Sequence, residues 1–105
     1  EIAAERPEIE HARQGGADLL GIDGWAVEVK RAARARLSEW WLQTCAQADM
    51  TGLRPALFYR LDRHPWRVVV ALRHVATGFT HAPLNMRVET DIEVFAALAR
   101  EFAAE

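Results

Sequence analysis

Three residues in the first third of the chain have types and spacing that could do chemistry: Asp18, Glu28 and Lys30. Two carboxylates facing each other cost stability as like charges. A divalent cation removes that cost, because carboxylate oxygens are the ligands Mg2+ prefers. Such an ion can act as a Lewis acid on a phosphodiester and activate water. A lysine beside it can orient or deprotonate the attacking water, or offset charge developing on phosphorus. An acidic-x-Lys triplet on an exposed strand fits two solvated surface residues equally well.

Whether the three converge depends on the turn between them. Residues 17–21 and 25–30 read as strands around Ile22-Asp23-Gly24, and Asp-Gly between apolar runs is a strong hairpin signal. A two-residue loop pairs Leu19 with Glu28 and sends Asp18 to the opposite face. A three-residue loop with Gly24 left-handed pairs Gly21 with Trp25, Leu20 with Ala26 and Asp18 with Glu28. Lys30 then joins both carboxylates on one face, while Leu19, Trp25, Val27 and Val29 form an apolar face behind them. The three-residue register is preferred because it separates polar from apolar.

Around this hairpin, residues 8–13 suggest a short strand before the turn Gln14-Gly15-Gly16. A helix is expected from Ser38 as N-cap, through Ala48, to a stop at Gly52. Its buried stripe is Trp41, Cys45 and Ala48, leaving Trp40 outward as a stacking surface or dimer contact. Strands follow at 56–60 and 66–72, separated by a turn at 62–65. Residues 74–88 read as loop with a short extended piece. Thr90-Asp91-Ile92-Glu93 has capping-box form and opens a helix over 91–104. Its Phe95, Leu98 and Phe102 either cover their own sheet or supply a dimer contact. The order describes one compact α/β domain with a mixed sheet.

At 105 residues, half of them apolar, the chain has the size and composition of a single globular domain. Its one cysteine, Cys45, excludes an intramolecular disulfide and fits a reducing compartment. No apolar run is long enough to span a membrane. The chain starts at Glu1 without Met, so its authentic N-terminus and any targeting segment stay open. Net charge is −2, unevenly spread. Residues 1–29 balance at −5, residues 30–73 at +6 and residues 74–105 at −3. The basic middle suits phosphate contacts, and a solvated arginine-rich surface explains charge alone equally well. Arg60, Arg63 and Arg67 flank a strand–turn–strand edge and are the favoured phosphate contacts, since arginine binds phosphate bidentately. Arg31, Arg34 and Arg36, in a basic, alanine-rich connection, are counted with them. His11, His64, His74 and His81 lack ligand-like spacing. Gly15-Gly16 is too little for a dinucleotide or P-loop site, so no organic cofactor is expected.

Taken together, Asp18 and Glu28-Val29-Lys30 in a hairpin resemble the signature of the PD-(D/E)XK nuclease superfamily. Gly15-Gly16-Ala17-Asp18, Glu28-Val29-Lys30-Arg31, Trp40-Trp41-Leu42-Gln43, Gln47-Ala48, Pro55 to Arg60 and Arg63-His64-Pro65-Trp66 follow in order. That run, roughly residues 9–73, is similar to small phage and prophage nucleases described as Holliday-junction resolvase-like. The resemblance implies a restriction-endonuclease-like α/β core, with a mixed central sheet flanked by helices. It places the nuclease core at 1–75 and a C-terminal extension with the terminal helix at 76–105, within one compact domain. It implies Asp18 and Glu28 as metal ligands, with the Val29 carbonyl as third, and Lys30 and Gln43 as catalytic. Gln47, one turn on, shares the Gln43 face and is counted with the DNA contacts. For both glutamines an ordinary solvent-facing pair is the alternative.

The expected activity is Mg2+-dependent endonuclease cleavage of DNA, with Mn2+ able to substitute. Branched DNA is the expected substrate, handled as a homodimer in the cytoplasm of a bacterium or phage host, in DNA recombination. The alternative is a weak or inactive nuclease-fold module for DNA binding or assembly. One feature departs from the family pattern. Many members carry a further glutamate on a helix upstream of the aspartate. Here Glu1 and Glu5, or a helix before Glu1, are the places for it, with Glu10 a weaker candidate.

Overall fold

The fold grows outward from the turn that launches the first strand. In a computed structural model of the chain, describing residues 22–104, Gly24 adopts φ +88°, the left-handed conformation expected of it, while the strand it would pair with across the loop lies outside those residues. The Trp25 amide donates to the Ile22 carbonyl at 3.2 Å. A Cβ at Gly24 would sit 2.9 Å from the Arg54 guanidinium, the movable end of a long side chain, so the positive φ is the reason for glycine here. The strand expected at 17–21, like that at 8–13, lies outside the described residues.

Strand β1 (Trp25–Ala32) leads through a basic connection into helix α1 (Leu37–Thr51) and back into β2 (Arg54–Leu61). This is a β-α-β unit, and β1 and β2 pair in parallel with Glu28 opposite Leu57 and Lys30 opposite Tyr59. After a tight turn, β3 (Arg67–Ala71) runs antiparallel to β2. A short helix α2 (Leu72–Val75) and a 3-10 turn (Thr77–Phe79) lead to β4 (Arg87–Thr90), antiparallel to β3, and then to α3 (Ile92–Ala104). The sheet is mixed, in the order β1-β2-β3-β4. With helices on both faces, this is the α/β arrangement of a restriction-endonuclease-like core.

Period-two alternation explains how one sheet feeds two cores. Trp25, Val27, Val29, Ala56, Phe58, Val68 and Val70 point to one side and are covered by α3 through Phe95 and Phe102. Trp25 meets Phe95 edge-on at 4.9 Å and Phe102 at 5.5 Å. The terminal helix therefore spends its aromatics on its own sheet, which settles between the two roles open to it. Leu57, Tyr59, Val69 and Ala71 point to the other side, under α1.

Several local readings need correction. Trp40 is buried at 7 % exposure, not outward, and Trp41 is buried beside it at 1 %. Both fit because α1 has two covers. Trp40 packs against Tyr59 on the sheet, ring centroids 5.9 Å apart. Trp41 donates its Nε1 to the Leu84 carbonyl, 3.0 Å away, in the connection before β4. The buried stripe is Trp40, Trp41, Thr44 and Ala48, while Cys45 is only half-buried. Arg36 rather than Ser38 occupies the N-cap of α1, whereas Gly52 ends it left-handed at φ +71°. Asp91, not Thr90, caps α3, its Oδ1 accepting from the Val94 amide at 2.8 Å. Leu72 leaves the strand for α2, and residues 87–90 form a true fourth strand. No helix among the described residues is long and apolar enough to cross a membrane.

Candidate active site

Glu28 and Lys30 occupy alternate positions of β1, so both project to the α1 face. Their neighbours across the sheet, Leu57 and Tyr59, belong to the core beneath α1. The two polar side chains thus stand at the margin of that core, where it gives way to solvent. Their side chains are 22 % and 28 % exposed, and Lys30 Nζ lies 3.7 Å from Glu28 Oε2. Val29 sends its side chain into the opposite core, so only its main chain is available on the Glu28 side. Asp18 lies outside the described residues, as do Glu1, Glu5 and Glu10. Among the described residues, no group of three or more His, Cys, Asp or Glu is placed to hold a metal ion. Glu28 contributes the hard carboxylate oxygens such an ion prefers.

Gln43 and Gln47 are exposed on α1, and neither side chain bonds to Glu28 or Lys30. His74 belongs to no metal-holding group among the described residues. Burial first, then Arg54 and Arg73 beside it, push its imidazole pKa down.

The arginines lie toward one edge of the sheet but not on one face. Because β1 and β2 are parallel, their carboxyl ends share one edge, tied by the Asp62 amide donating to the Ala32 carbonyl at 3.2 Å. Arg31 lies within β1 rather than in the connection after it, paired with Arg60 in β2; Arg34 and Arg36 follow β1, Arg63 follows β2 and Arg67 opens β3. By alternation Arg31 and Arg60 take the Val29 face, whereas Arg67, opposite Tyr59, takes the Glu28 face. In open α/β sheets this edge is where ligands bind. The turn between β2 and β3 is firmly built. Arg60 Nε donates to the His64 carbonyl at 2.9 Å, and His64 Nδ1 lies 2.8 Å from the Asp62 carbonyl. Arg63 holds φ +66°, uncommon for a residue with a side chain. Arg36 lies 3.9 Å from Glu39.

Arg67 is engaged in a way its spacing did not reveal. Its Nε donates to Glu89 Oε2 at 2.8 Å, and the Tyr59 hydroxyl donates to the same oxygen at 2.9 Å. Tyr59 and Glu89 are the residues the sequence reading passed over. The one available signal was that a tyrosine inside an apolar strand must find a partner for its hydroxyl. Burial chiefly, with the Glu89 carboxylate next, pushes the Tyr59 phenol up to about 12 from its ordinary 10.0. The phenol accordingly stays a hydrogen-bond donor. As the raised pKa belongs to the folded state, its stabilisation is complete below pH 10 and disappears as the pH climbs to about 12. Tyr59 is the chain's single tyrosine, so phenolate absorbance reports it alone. The expected midpoint is about 12 in the folded protein and 10 in denaturant. A folded-state midpoint at 10 would exclude the bond to Glu89.

A mixed sheet between helices, with Glu-x-Lys on the strand that begins the parallel crossover, is a nuclease-type core. Residues 23–102 match the family described as "Phage putative PDDEXK endonuclease", and the chain belongs to it. No curated protein and no solved structure matches the chain.

Proposed function

We propose that this protein is a divalent-metal-dependent DNA endonuclease that hydrolyses phosphodiester bonds in branched DNA. The observation that carries this is the setting of Glu28 and Lys30. They share one face of β1, and Arg67 lies on the same face of the sheet toward the edge where the strands' arginines end. Asp18 and Glu28, with the Val29 carbonyl, are the proposed ligands of Mg2+, for which Mn2+ can substitute. When bound, the ion supplies Lewis acidity at the phosphodiester. Lys30 orients the attacking water or takes its proton, and its charge offsets that developing on phosphorus. Gln43, exposed on α1, is proposed to assist at this site. Arg31, Arg34, Arg36, Arg60, Arg63 and Arg67 hold phosphates along the edge, with Gln47 on the exposed side of α1.

Cutting both strands of a junction requires two sites, so the working form in this reading is a homodimer, acting in the cytoplasm of a host cell. Residues 1–75 form the nuclease core and 76–105 an extension within the same domain. The test is metal-dependent cleavage of a labelled four-way junction, compared with linear duplex and single strands of the same sequence. The expected result is cleavage of the junction in Mg2+ or Mn2+ and its loss in Asp18→Ala. A chain inert on all three, with DNA binding unchanged by Asp18→Ala, would be a nuclease-fold binding module instead. Preference for linear ends would remove only the junction assignment.

A further inference from the structure

Between the turn at 62–65 and strand β4 lies an open groove of about 230 Å3, lined by Tyr59, Leu61, His64, Pro65, Arg67 and Glu89. It begins one strand away from the candidate site. Tyr59 is the register partner of Lys30, and Leu61 that of Ala32, so the groove lies about 5 Å from β1 on the sheet. Its walls are of two kinds. Leu61 and the exposed Pro65 ring are apolar, and the buried Tyr59 reaches the groove only by its edge. The Glu89 carboxylate accepts and the Arg67 guanidinium donates, side by side, with Arg67 Nε already spent on Glu89 Oε2. The rim is held in advance by the Arg60–His64 and His64–Asp62 hydrogen bonds. A ligand entering therefore orders little that is not ordered already.

An apolar slot with a donor and an acceptor at one end suits a planar heterocycle. The arginine edge beside it suits a phosphate chain. We infer that the groove receives one unpaired nucleobase of the DNA strand lying along the arginine edge. This deepens the proposed function and rests on it. The base lies against Leu61 and the exposed Pro65 ring, while its hydrogen-bonding edge meets Glu89 and the outer nitrogens of Arg67. A base in duplex keeps that edge for its own partner, so occupancy selects DNA with a nucleotide out of its stack, as at a branch. The Tyr59 hydroxyl, bonded to Glu89, aims the carboxylate and is a positioning group.

The experiment is abasic scanning. Equilibrium binding of the full chain to a branched DNA is measured without metal, while single nucleotides near the branch are replaced in turn by base-free ones. Base removal at one position is expected to weaken binding by about tenfold, the scale of one stacked base. In Glu89→Ala, and separately in Pro65→Gly, that position should lose its effect, to within twofold. Ratios within each protein are compared, because releasing Arg67 from Glu89 raises affinity for every DNA. Pro65→Gly leaves the Tyr59–Glu89–Arg67 cluster untouched, so it serves if Glu89→Ala folds poorly. Binding that is indifferent to every base removal would overturn the groove assignment and leave the nuclease reading standing. A sensitive position that persists in both variants would overturn it too, placing the base elsewhere. A chain that neither binds nor cuts DNA would remove both readings.

Discussion

Glu28→Gln is expected to abolish metal-dependent DNA cleavage while leaving DNA affinity equal or tighter. The substitution keeps the side chain's shape and removes one negative charge from a surface that must meet phosphate. If Glu28 holds the ion, the loss includes its Lewis acidity, several kcal/mol at the transition state, or about a thousandfold or more in rate. Folding should be nearly unaffected. The contact with Lys30 is 3.7 Å long and a fifth to a quarter exposed. Such pairs contribute at most about 1 kcal/mol. Single-turnover cleavage, binding by fluorescence anisotropy and a melting curve on one preparation check all three parts. Unchanged turnover would contradict the site assignment, and a large drop in melting temperature would assign Glu28 a structural role.

Trp25→Ala should be the most damaging single truncation in the described fold. Trp25 is 1 % exposed and touches the two aromatic residues by which α3 is held. Arg54 lies over its ring at 5.6 Å and over that of Phe102 at 4.2 Å, closing the end of the core. Among the described residues its Nε1 has no hydrogen-bond partner, so the loss is packing together with the Arg54 contact over its ring. Removing a buried tryptophan costs about 3–5 kcal/mol, a large part of a small domain's stability. The melting temperature should fall by roughly 15–25 °C. Thermal unfolding followed by circular dichroism measures it. A fall of a few degrees would mean that α3 is held by something other than this cluster.

Much of the architecture was legible because its signals are local. Alternation in Trp25-Ala26-Val27-Glu28-Val29-Lys30 marked β1 and assigned its two faces, and both assignments agree with the buried residues. Gly24 and Gly52 announced a turn and a helix end, each at positive φ. The strand at Pro55 to Arg60 and the terminal helix followed from apolar runs and spacing, within two residues at either end. What stayed hidden depends on contacts far apart in sequence. Arg87-Val88-Glu89-Thr90 has no apolar run to declare a strand, and pairing with β3 makes it one. Trp40 lies inside because Leu84, more than forty residues later, covers its neighbour Trp41 and leaves the sheet to Trp40. In the site, the Glu28–Lys30 face and the arginine edge could be read from register and order. The engagement of Arg67 by Glu89 could not, since their strands were not both known.

The parallel pairing of β1 with β2 also has a price in chain entropy. Val29 meets Phe58 across 29 residues of chain, whereas Phe58 meets Val68 across only 10. Closing the longer loop costs about 1 kcal/mol more before any contact repays it. The hairpin of β2 and β3, carrying Tyr59 and Arg67, is thus the economical nucleus, and β1 docks onto it with α1 as the crossover. Glu28 and Lys30 ride on the strand whose pairing closes the longest loop in the described sheet. On the proposed reading, a chain caught part-way through folding would own the Arg67-bearing hairpin before the strand of Glu28 and Lys30, able to hold phosphate and unable to cut it.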